Sequence, residues 1–182
     1  MGVLIKGEKT KLEEVTPEDA QSICLLRNNA AINKYLSTSQ NITVAQQEAW
    51  IIENLAKNDG YYCKIIDLQD NKFCGTASLY NVRNKEAEFG RYICVSAIQS
   101  IETEYLMLRL AFEEMNLERV YCRTAAENVK VWKQHIRYGF RNAGEERFAS
   151  EDKDLILNIQ EITIDDYQRT DYSFITKLIK KF

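Results

Sequence analysis

The sequence is poor in the residue types that break regular structure or bind metal: its 182 residues include seven glycines, one proline and one histidine. Few glycines and prolines exclude collagen-like and low-complexity chains, and a hydrophobic fraction of 45% exceeds that of disordered segments. Zinc is usually held by several His, Cys and carboxylate ligands, so a lone His135 argues against a zinc site. We therefore expect a folded protein without a metal.

An excess of charge of one sign is also missing. The 24 basic and 27 acidic residues give a net charge of -3, with a pI near 5.4. Such a chain carries no electrostatic footprint for nucleic acid. No apolar run is long enough to span a membrane, and residues 1–11 carry charges where a signal peptide needs an apolar core. We expect a cytoplasmic protein that binds a small-molecule substrate, no nucleic acid and no membrane; a homodimer stays open.

The cysteines give no sign of a disulfide framework. They are odd in number, contain no C-x-x-C motif and mostly lie in apolar runs typical of a core: Cys24, Cys63, Cys74, Cys94 and Cys122. We expect reduced thiols. The length of the chain suits one compact domain with its own hydrophobic core.

The order of apolar patterns predicts a mixed α/β domain. Pro17 after Thr16 begins a helix, Thr43 with Gln46 forms a capping box, and Gly139 has the position of a helix C-cap. The periodicity predicts helices at 16–27, 30–36, 43–57, 101–115 and 129–138, and strands at 11–15, 61–68, 73–80, 87–95, 119–124, 141–149 and 155–163. We expect one central sheet of about six to seven strands flanked by helices.

The end of the chain has a different pattern. Residues 1–168 form the predicted domain, and residues 169–182 are predicted to form an amphipathic helix with Ile175, Leu178, Ile179 and Phe182 on one face. Such a helix can lie on a membrane or a partner. We favour packing on the domain itself or on a partner subunit.

Several segments resemble the acetyl-CoA half of the GNAT N-acetyltransferase superfamily. They are Ala87-Glu88-Phe89-Gly90-Arg91-Tyr92-Ile93, a long helix ending at Ala111-Phe112, the strand Arg119-Val120-Tyr121, and Asn128 followed by Tyr138-Gly139-Phe140. Within that superfamily, two branches have N-terminal halves similar to that of this chain. The similar segments are Leu26-Arg27-Asn28, Tyr35-Leu36, and Ile42-Thr43 leading to Trp50. One branch acetylates nucleotide-linked amino sugars, as in pseudaminic acid synthesis, and the other acetylates the N-termini of ribosomal proteins. The resemblance covers about residues 11–168.

The resemblance implies an enzyme that takes acetyl-CoA as co-substrate and transfers its acetyl group directly to an amine in a ternary complex. The alternative is a GNAT-fold binding module with a degenerate cofactor loop and no catalysis. Relatives bind the CoA pyrophosphate with an R/Q-x-x-G-x-G/A loop at the start of the central helix. Here that window lacks both glycines and reads Val95, Ser96, Ala97, Ile98, Gln99 and Ser100. The resemblance places the pantetheine arm of CoA against the main chain at Tyr92, Ile93 and Cys94 and against Asn128.

Two side chains are the candidate catalytic residues. In many relatives the position seven residues after the motif Asn is a Tyr that protonates the departing thiolate, and here it is His135, which can exchange a proton near neutral pH. Glu88 is the candidate base for the amine, acting through water, because a carboxylate on a central strand is costly to bury unless it is functional or paired. The alternatives are a packing role for His135 and a structural ion pair for Glu88.

Strand alternation also makes a prediction about the faces around Glu88. It places Glu88, Gly90, Tyr92 and Cys94 on one face of the strand at 87–95, and Phe89, Arg91, Ile93 and Val95 on the other. Glu88 and Cys94 are therefore expected to point to the same side of the sheet.

Substrate choice is expected to come from the N-terminal half and the strand at 73–80. Arginine can bind a phosphate with two N–H groups, and aromatic rings can stack on a base or a sugar. The candidate substrate-binding residues are Arg27, Asn28, Gln47, Trp50 and Tyr80. They favour a nucleotide-linked amino sugar over the alternative, a peptide or protein N-terminus. Trp50 has a second interpretation as a core residue, since it lies on an apolar helix stripe.

Overall fold

A computed structural model describes residues 3–36, 41–150 and 153–181. Within these ranges eight strands form one mixed sheet in the order β1-β2-β3-β4-β5-β6-β8-β7. The strands are β1 (Val3–Lys6), β2 (Thr10–Glu14), β3 (Tyr61–Asp67), β4 (Phe73–Arg83), β5 (Glu86–Cys94), β6 (Arg119–Ala125), β7 (Arg141–Ala149) and β8 (Asp154–Thr163). The α-helices are α1 (Ala20–Arg27), α2 (Ala30–Asn33), α3 (Val44–Ala56), α4 (Ala97–Arg109), α5 (Val129–Arg137), α6 (Ile164–Arg169) and α7 (Ser173–Ile179). The α/β fold class is confirmed.

The strand count differs from the sequence prediction of six to seven. The additional strand is β1, a four-residue edge strand that pairs antiparallel with β2. Only Ile5 of β1 is buried, so this strand lacks the alternation of buried and exposed residues by which the longer strands are recognised.

The central helix α4 begins four residues earlier than predicted. Ser96 has the extended backbone of an N-cap, with φ -106° and ψ 131°, and residues 97–100 form the first turn of the helix. Ser100 therefore lies inside the helix, about one turn after its N-cap. No residue from Val95 to Ser100 has a positive φ, so this segment needs no glycine to adopt its backbone conformation. After Arg109 the helix ends in a wider π-helical turn, Leu110–Glu114.

The sheet splits between β5 and β6, its one parallel pair among the described residues. The register joins only residues 86–88 of β5 with residues 119–121 of β6, although both strands run on for several residues. Beyond Glu88 and Tyr121 the strands separate. The β6-facing main-chain groups of β5 beyond this point therefore have no partner in the strand ladder and are free to bind a ligand.

A β-bulge interrupts β5 at Arg91. Ser78 of β4 pairs with Gly90 and Thr76 pairs with Ile93, so β5 has one residue more than β4 between these pairs. Arg91 takes up the extra residue with a left-handed φ of 50°. Because pairs directly opposite each other share a face, the bulge puts Ile93 on the face of Glu88 and Gly90.

The bulge makes the predicted alternation wrong beyond Gly90. Cys94 pairs with Gly75, next to Thr76, and so lies on the face opposite Ile93 and Glu88. Tyr92 also leaves the Glu88 face, because its ring packs 5.3 Å from that of Phe89. The extra residue thus reverses which side chains of β5 point toward α4.

The main core lies between the sheet and α4. Leu106, Met107 and Leu108 of this helix are almost fully buried, and α7 adds Ile175 and Ile179 to the same cluster. All five cysteines are free thiols, and four of them are buried. Phe182 lies outside the described residues. In the described ranges, no helix has the length and apolar character needed to cross a lipid bilayer.

Candidate active site

Two adjoining cavities open where β5 and β6 separate. The first, of about 360 Å³, is lined by α5 and by β5 from Phe89 to Cys94, and we call it the α5 cavity. The second, of about 320 Å³, is lined by Tyr35, Tyr62 and Tyr80, and we call it the tyrosine cavity. They share six lining residues: Tyr35, Leu36, Arg91, Ile93, Arg123 and Ala125. Molecules bound in the two cavities would meet at this shared wall.

The α5 cavity has an edge of main chain that suits an extended ligand with amide groups. One wall is β5 beyond its last pair with β6, and the other contains Thr124 and Ala125 of β6. Main-chain groups without a strand partner bind amides as an additional strand would. Five of the predicted cofactor-binding residues line this cavity: Tyr92, Ile93, Cys94, Ser100 and Asn128.

A third cavity, of about 340 Å³, lies beside the first turn of α4 and carries three basic side chains. Lys130, Lys133 and Arg137 reach it from α5, and Ala97 and Ser100 line it from α4. The N-cap residue Ser96 makes no side-chain hydrogen bond to the first N–H groups of α4. Those groups remain available to an anion, which the helix dipole also stabilises. We call this third cavity the basic cavity.

Four of the predicted cofactor-binding residues line none of these three cavities: Val95, Ser96, Ile98 and Gln99. Val95 is 64% exposed, whereas Gln99 is buried and donates a hydrogen bond from Nε2 to Asp67 at 2.9 Å. The contribution of this segment to the cavities therefore comes from Ala97 and Ser100 and from the main chain at the start of α4.

His135 lines the α5 cavity, and its ring is hydrogen-bonded to a side chain of α4. Its Nδ1 lies 2.7 Å from Oε1 of Glu104, and both side chains are almost fully buried. Burial lowers the pKa of His135, but the negative charge of Glu104 and the neighbouring sulfur of Cys122 outweigh it, so the pKa lies well above its usual value. The imidazole therefore holds its proton more tightly than a free histidine does. Gln134 donates to the other carboxylate oxygen of Glu104 at 2.7 Å and fixes the orientation of that group.

Glu88 lines the tyrosine cavity and is also half of an ion pair across the split. Arg123 of β6 donates from Nε and Nη2 to its two carboxylate oxygens, both at 3.0 Å, and Asn81 donates a weaker hydrogen bond at 3.3 Å. Burial and the adjacent Glu88 raise the pKa of Tyr80, so its phenol stays neutral. Glu88 therefore forms the ion pair expected as one of its two alternatives, and it also lines the tyrosine cavity.

The predicted substrate-binding residues divide into two groups. Arg27 and Tyr80 line the tyrosine cavity. Asn28, Gln47 and Trp50 are absent from its lining. Asn28 holds the chain by exchanging hydrogen bonds with the main chain of Ile42, at 2.8 and 3.0 Å.

Trp50 and Gln47 lie on α3, behind the tyrosine cavity. Trp50 packs edge-on against Tyr62, with ring centroids 5.5 Å apart, and so supports a ring that lines the cavity. Gln47 is buried, and its Nε2 has no hydrogen-bond partner among the described residues.

The structure brings further residues to the site that the sequence prediction does not include. Tyr35, Arg91 and Arg123 lie at the shared wall, and Lys130, Lys133 and Arg137 line the basic cavity. The three cations of α5 have spacings of three and four residues, so helical periodicity alone could have placed them on one face. Arg91 gives no such signal, because its direction depends on the bulge.

Comparisons with known proteins agree with this geometry. Residues 9–141 match the family model described as the acetyltransferase (GNAT) domain. No curated protein sequence matches the chain. Among solved structures, the spermidine N-acetyltransferase from Vibrio cholerae in complex with CoA and spermine is similar with a TM-score of 0.79 and 19% identity, over 90% of this chain and all of that one.

Two other structures have similar folds. FdhC, a nucleotide-linked sugar GNAT, has a TM-score of 0.74 and 24% identity, over 96% of each chain. The ribosomal-protein-S5-alanine acetyltransferase from Vibrio fischeri has a TM-score of 0.74 and 17% identity, over 90% of this chain and 97% of that one. At these low identities the similar structures establish only the fold. The family model establishes the family, because it matches most of the chain. The protein belongs to the GNAT acetyltransferase family.

Proposed function

We propose that this acetyl-CoA-dependent N-acetyltransferase acts on a small polar amine, a nucleotide-linked amino sugar, by direct transfer in a ternary complex. The observation that carries the proposal is the pair of cavities that meet at the split of the sheet. One has a main-chain edge that continues toward a basic phosphate-sized site, and the other is lined by tyrosines and arginines.

Acetyl-CoA supplies the activated acetyl thioester when it is bound. In this proposal Lys130, Lys133 and Arg137 bind its phosphates together with the first N–H groups of α4. The β5 main chain from Tyr92 to Cys94 and the side chain of Asn128 hold the pantetheine arm. These basic residues supply the anion binding that relatives obtain from a glycine-containing loop, which argues against a binding module with a degenerate loop.

His135 is the proposed proton donor to the departing thiolate. It lines the cavity of the pantetheine arm, and Glu104 raises the pKa of its imidazole above the usual value. A protonated imidazole has an N–H group that can donate to the departing thiolate. Glu88 is the proposed acceptor of the amine proton, through water, from its place in the tyrosine cavity.

The lining of the tyrosine cavity favours a sugar nucleotide over a peptide N-terminus. Its aromatic side chains, Tyr35, Tyr62, Tyr80 and Phe148, offer faces on which a base or sugar can stack, and Arg27 can bind a phosphate. A basic peptide would need carboxylates, and the one carboxylate among the cavity's described lining residues, that of Glu88, is paired with Arg123.

A thiol-release assay with acetyl-CoA tests this proposal. The panel contains amino-sugar nucleotides, their free amino sugars, and short peptides with free N-termini. The proposal predicts the highest kcat/KM with a sugar nucleotide. Activity on peptides alone would reject the substrate assignment. If the protein binds acetyl-CoA but releases thiol with no amine of the panel, the whole group of proposed acceptors is rejected.

A further inference from the structure

Arg91 lies in the site, but the proposed mechanism assigns it no role. Its side chain leaves β5 at the bulge and reaches the shared wall of the two cavities. A left-handed backbone at a residue other than glycine costs on the order of 1 kcal/mol and recurs at ligand-binding sites. The bulge therefore places a long cationic side chain, at an energetic cost, where it borders both the tyrosine cavity and a smaller pocket lined by Asn54 and Asp59.

Neutral groups hold the Arg91 guanidinium in place. Nη1 donates to Oδ1 of Asn54 at 2.7 Å, and Cζ lies 4.0 Å from the ring centroid of Tyr80 and 4.9 Å from that of Trp50. These contacts fix the plane of the group and restrict its motion. In the described part of the chain no carboxylate comes within salt-bridge distance of it.

Among the described residues, carboxylates act on Arg91 only from beyond salt-bridge distance: Asp59 and Glu88 attract it, and Glu14 and Asp59 line a small pocket beside it. Arg27 and Arg123 line the tyrosine cavity with it, and Glu88 is the one carboxylate among the described lining residues of that cavity. Arg123 already binds both oxygens of Glu88. Burial lowers the pKa of Arg91, yet a guanidinium stays charged at neutral pH. An anion that enters the cavity would stabilise this half-buried positive charge, whereas a cation would be repelled by it.

We propose that Arg91 is a specificity-determining residue, and that the amine acceptor carries an acidic group, a phosphate or a carboxylate, which pairs with it. The inference rests on the proposed transferase function and narrows its substrates to anionic amines. It excludes polyamines as preferred acceptors, because a polycation would meet Arg27 and Arg91, and the described lining of the cavity offers it no carboxylate apart from Glu88, which Arg123 binds.

The test compares amines that differ only in an acidic group. Glucosamine 6-phosphate is compared with glucosamine, and tyrosine with tyramine, by kcat/KM in the thiol-release assay; spermidine is the cationic probe. The inference predicts that the wild type prefers the acidic member of a pair. Arg91→Met should lower kcat/KM for that member by about 10- to 100-fold, the loss expected for a charge-assisted hydrogen bond, and leave the member without the acidic group within about threefold.

Two further variants separate recognition from folding. Arg91→Lys keeps the charge and should retain part of the preference, while Arg83→Met, at an exposed arginine of β4, should change nothing. A preference for acidic amines that survives in Arg91→Met, or a wild type that prefers neutral amines or spermidine, would overturn the inference.

Direct binding distinguishes failure of the inference from failure of the proposed function. Calorimetric titration with glucosamine 6-phosphate, in the presence of excess CoA to fill the basic cavity, should give weaker binding by Arg91→Met than by the wild type. If this difference is found but no amine releases thiol, the anion site stands and the transferase assignment to these acceptors fails. If thiol is released and the titrations are identical, the anion site is wrong and the transferase stands.

Discussion

At the scale of single residues, the buried pair of His135 and Glu104 links the fold to the proposed chemistry. The two side chains connect α5 to α4 at the wall of the α5 cavity, and Glu104 raises the pKa of the imidazole above its usual value. The sequence identified His135 as a candidate by its distance from Asn128, but it gave no indication of Glu104. The partner lies 31 residues away on another helix, and such pairing depends on tertiary packing.

The pair should make stability depend on pH in a defined direction. The folded-state pKa of His135 is raised above its unfolded value of about 6.5, so its contribution is fully present below that pH and is lost as pH rises through the folded pKa. The double variant His135→Gln/Glu104→Gln removes both titrating groups. We predict that the wild type's advantage in unfolding free energy over this variant shrinks as pH rises above about 6.5. Urea denaturation between pH 6 and 9 measures it, and a constant difference would contradict the prediction.

The catalytic role of His135 predicts a loss of turnover. His135→Gln should lower kcat by about 10- to 10³-fold with a smaller change in the KM for the amine, because the side chain acts on the departing sulfur. The double variant serves as the control for folding, since it leaves no unpaired buried carboxylate. An unchanged kcat in both variants would remove His135 from the mechanism.

At the scale of elements, the first turn of α4 and the basic face of α5 line one cavity, the proposed anion site. The predicted loop without glycines is helical from Ala97, and α5 supplies three cations beside it. Pattern analysis found both helices but placed the start of α4 four residues late, because the family pattern calls for a loop there. The bulge at Arg91 could not be predicted, since alternation carries no signal for an extra residue on one strand.

The basic face predicts a phosphate-specific loss of affinity. Lys130→Gln and Lys133→Gln should each raise the Kd for acetyl-CoA by about 3- to 10-fold, the usual weight of a partly exposed charge pair on a phosphate, and more at low salt. Affinity for S-acetylpantetheine, which lacks the diphosphate, should not change. Lys177→Gln, at an exposed lysine of α7, is the matched control. Equal losses for both ligands would show that the two lysines do not act on phosphate.

At the scale of the whole molecule, the split sheet is what makes the proposed reaction possible. Two strands that pair over three residues and then diverge leave a main-chain edge open on one side and a cavity of tyrosines and arginines on the other. The order of the elements and the mixed sheet were predictable from periodicity and capping residues such as Thr43 and Gly139. The meeting of the cavities was not, because it depends on where β5 and β6 separate.

The proposed function requires this chain to bind acetyl-CoA although residues 95–100, where relatives carry glycines, contain none. Calorimetric titration of the full chain with acetyl-CoA tests it most directly. We predict saturable binding of one molecule per chain, weakened by rising salt as the contacts to phosphate are screened. Absence of heat at millimolar acetyl-CoA, in protein with a cooperative unfolding transition, would contradict the account.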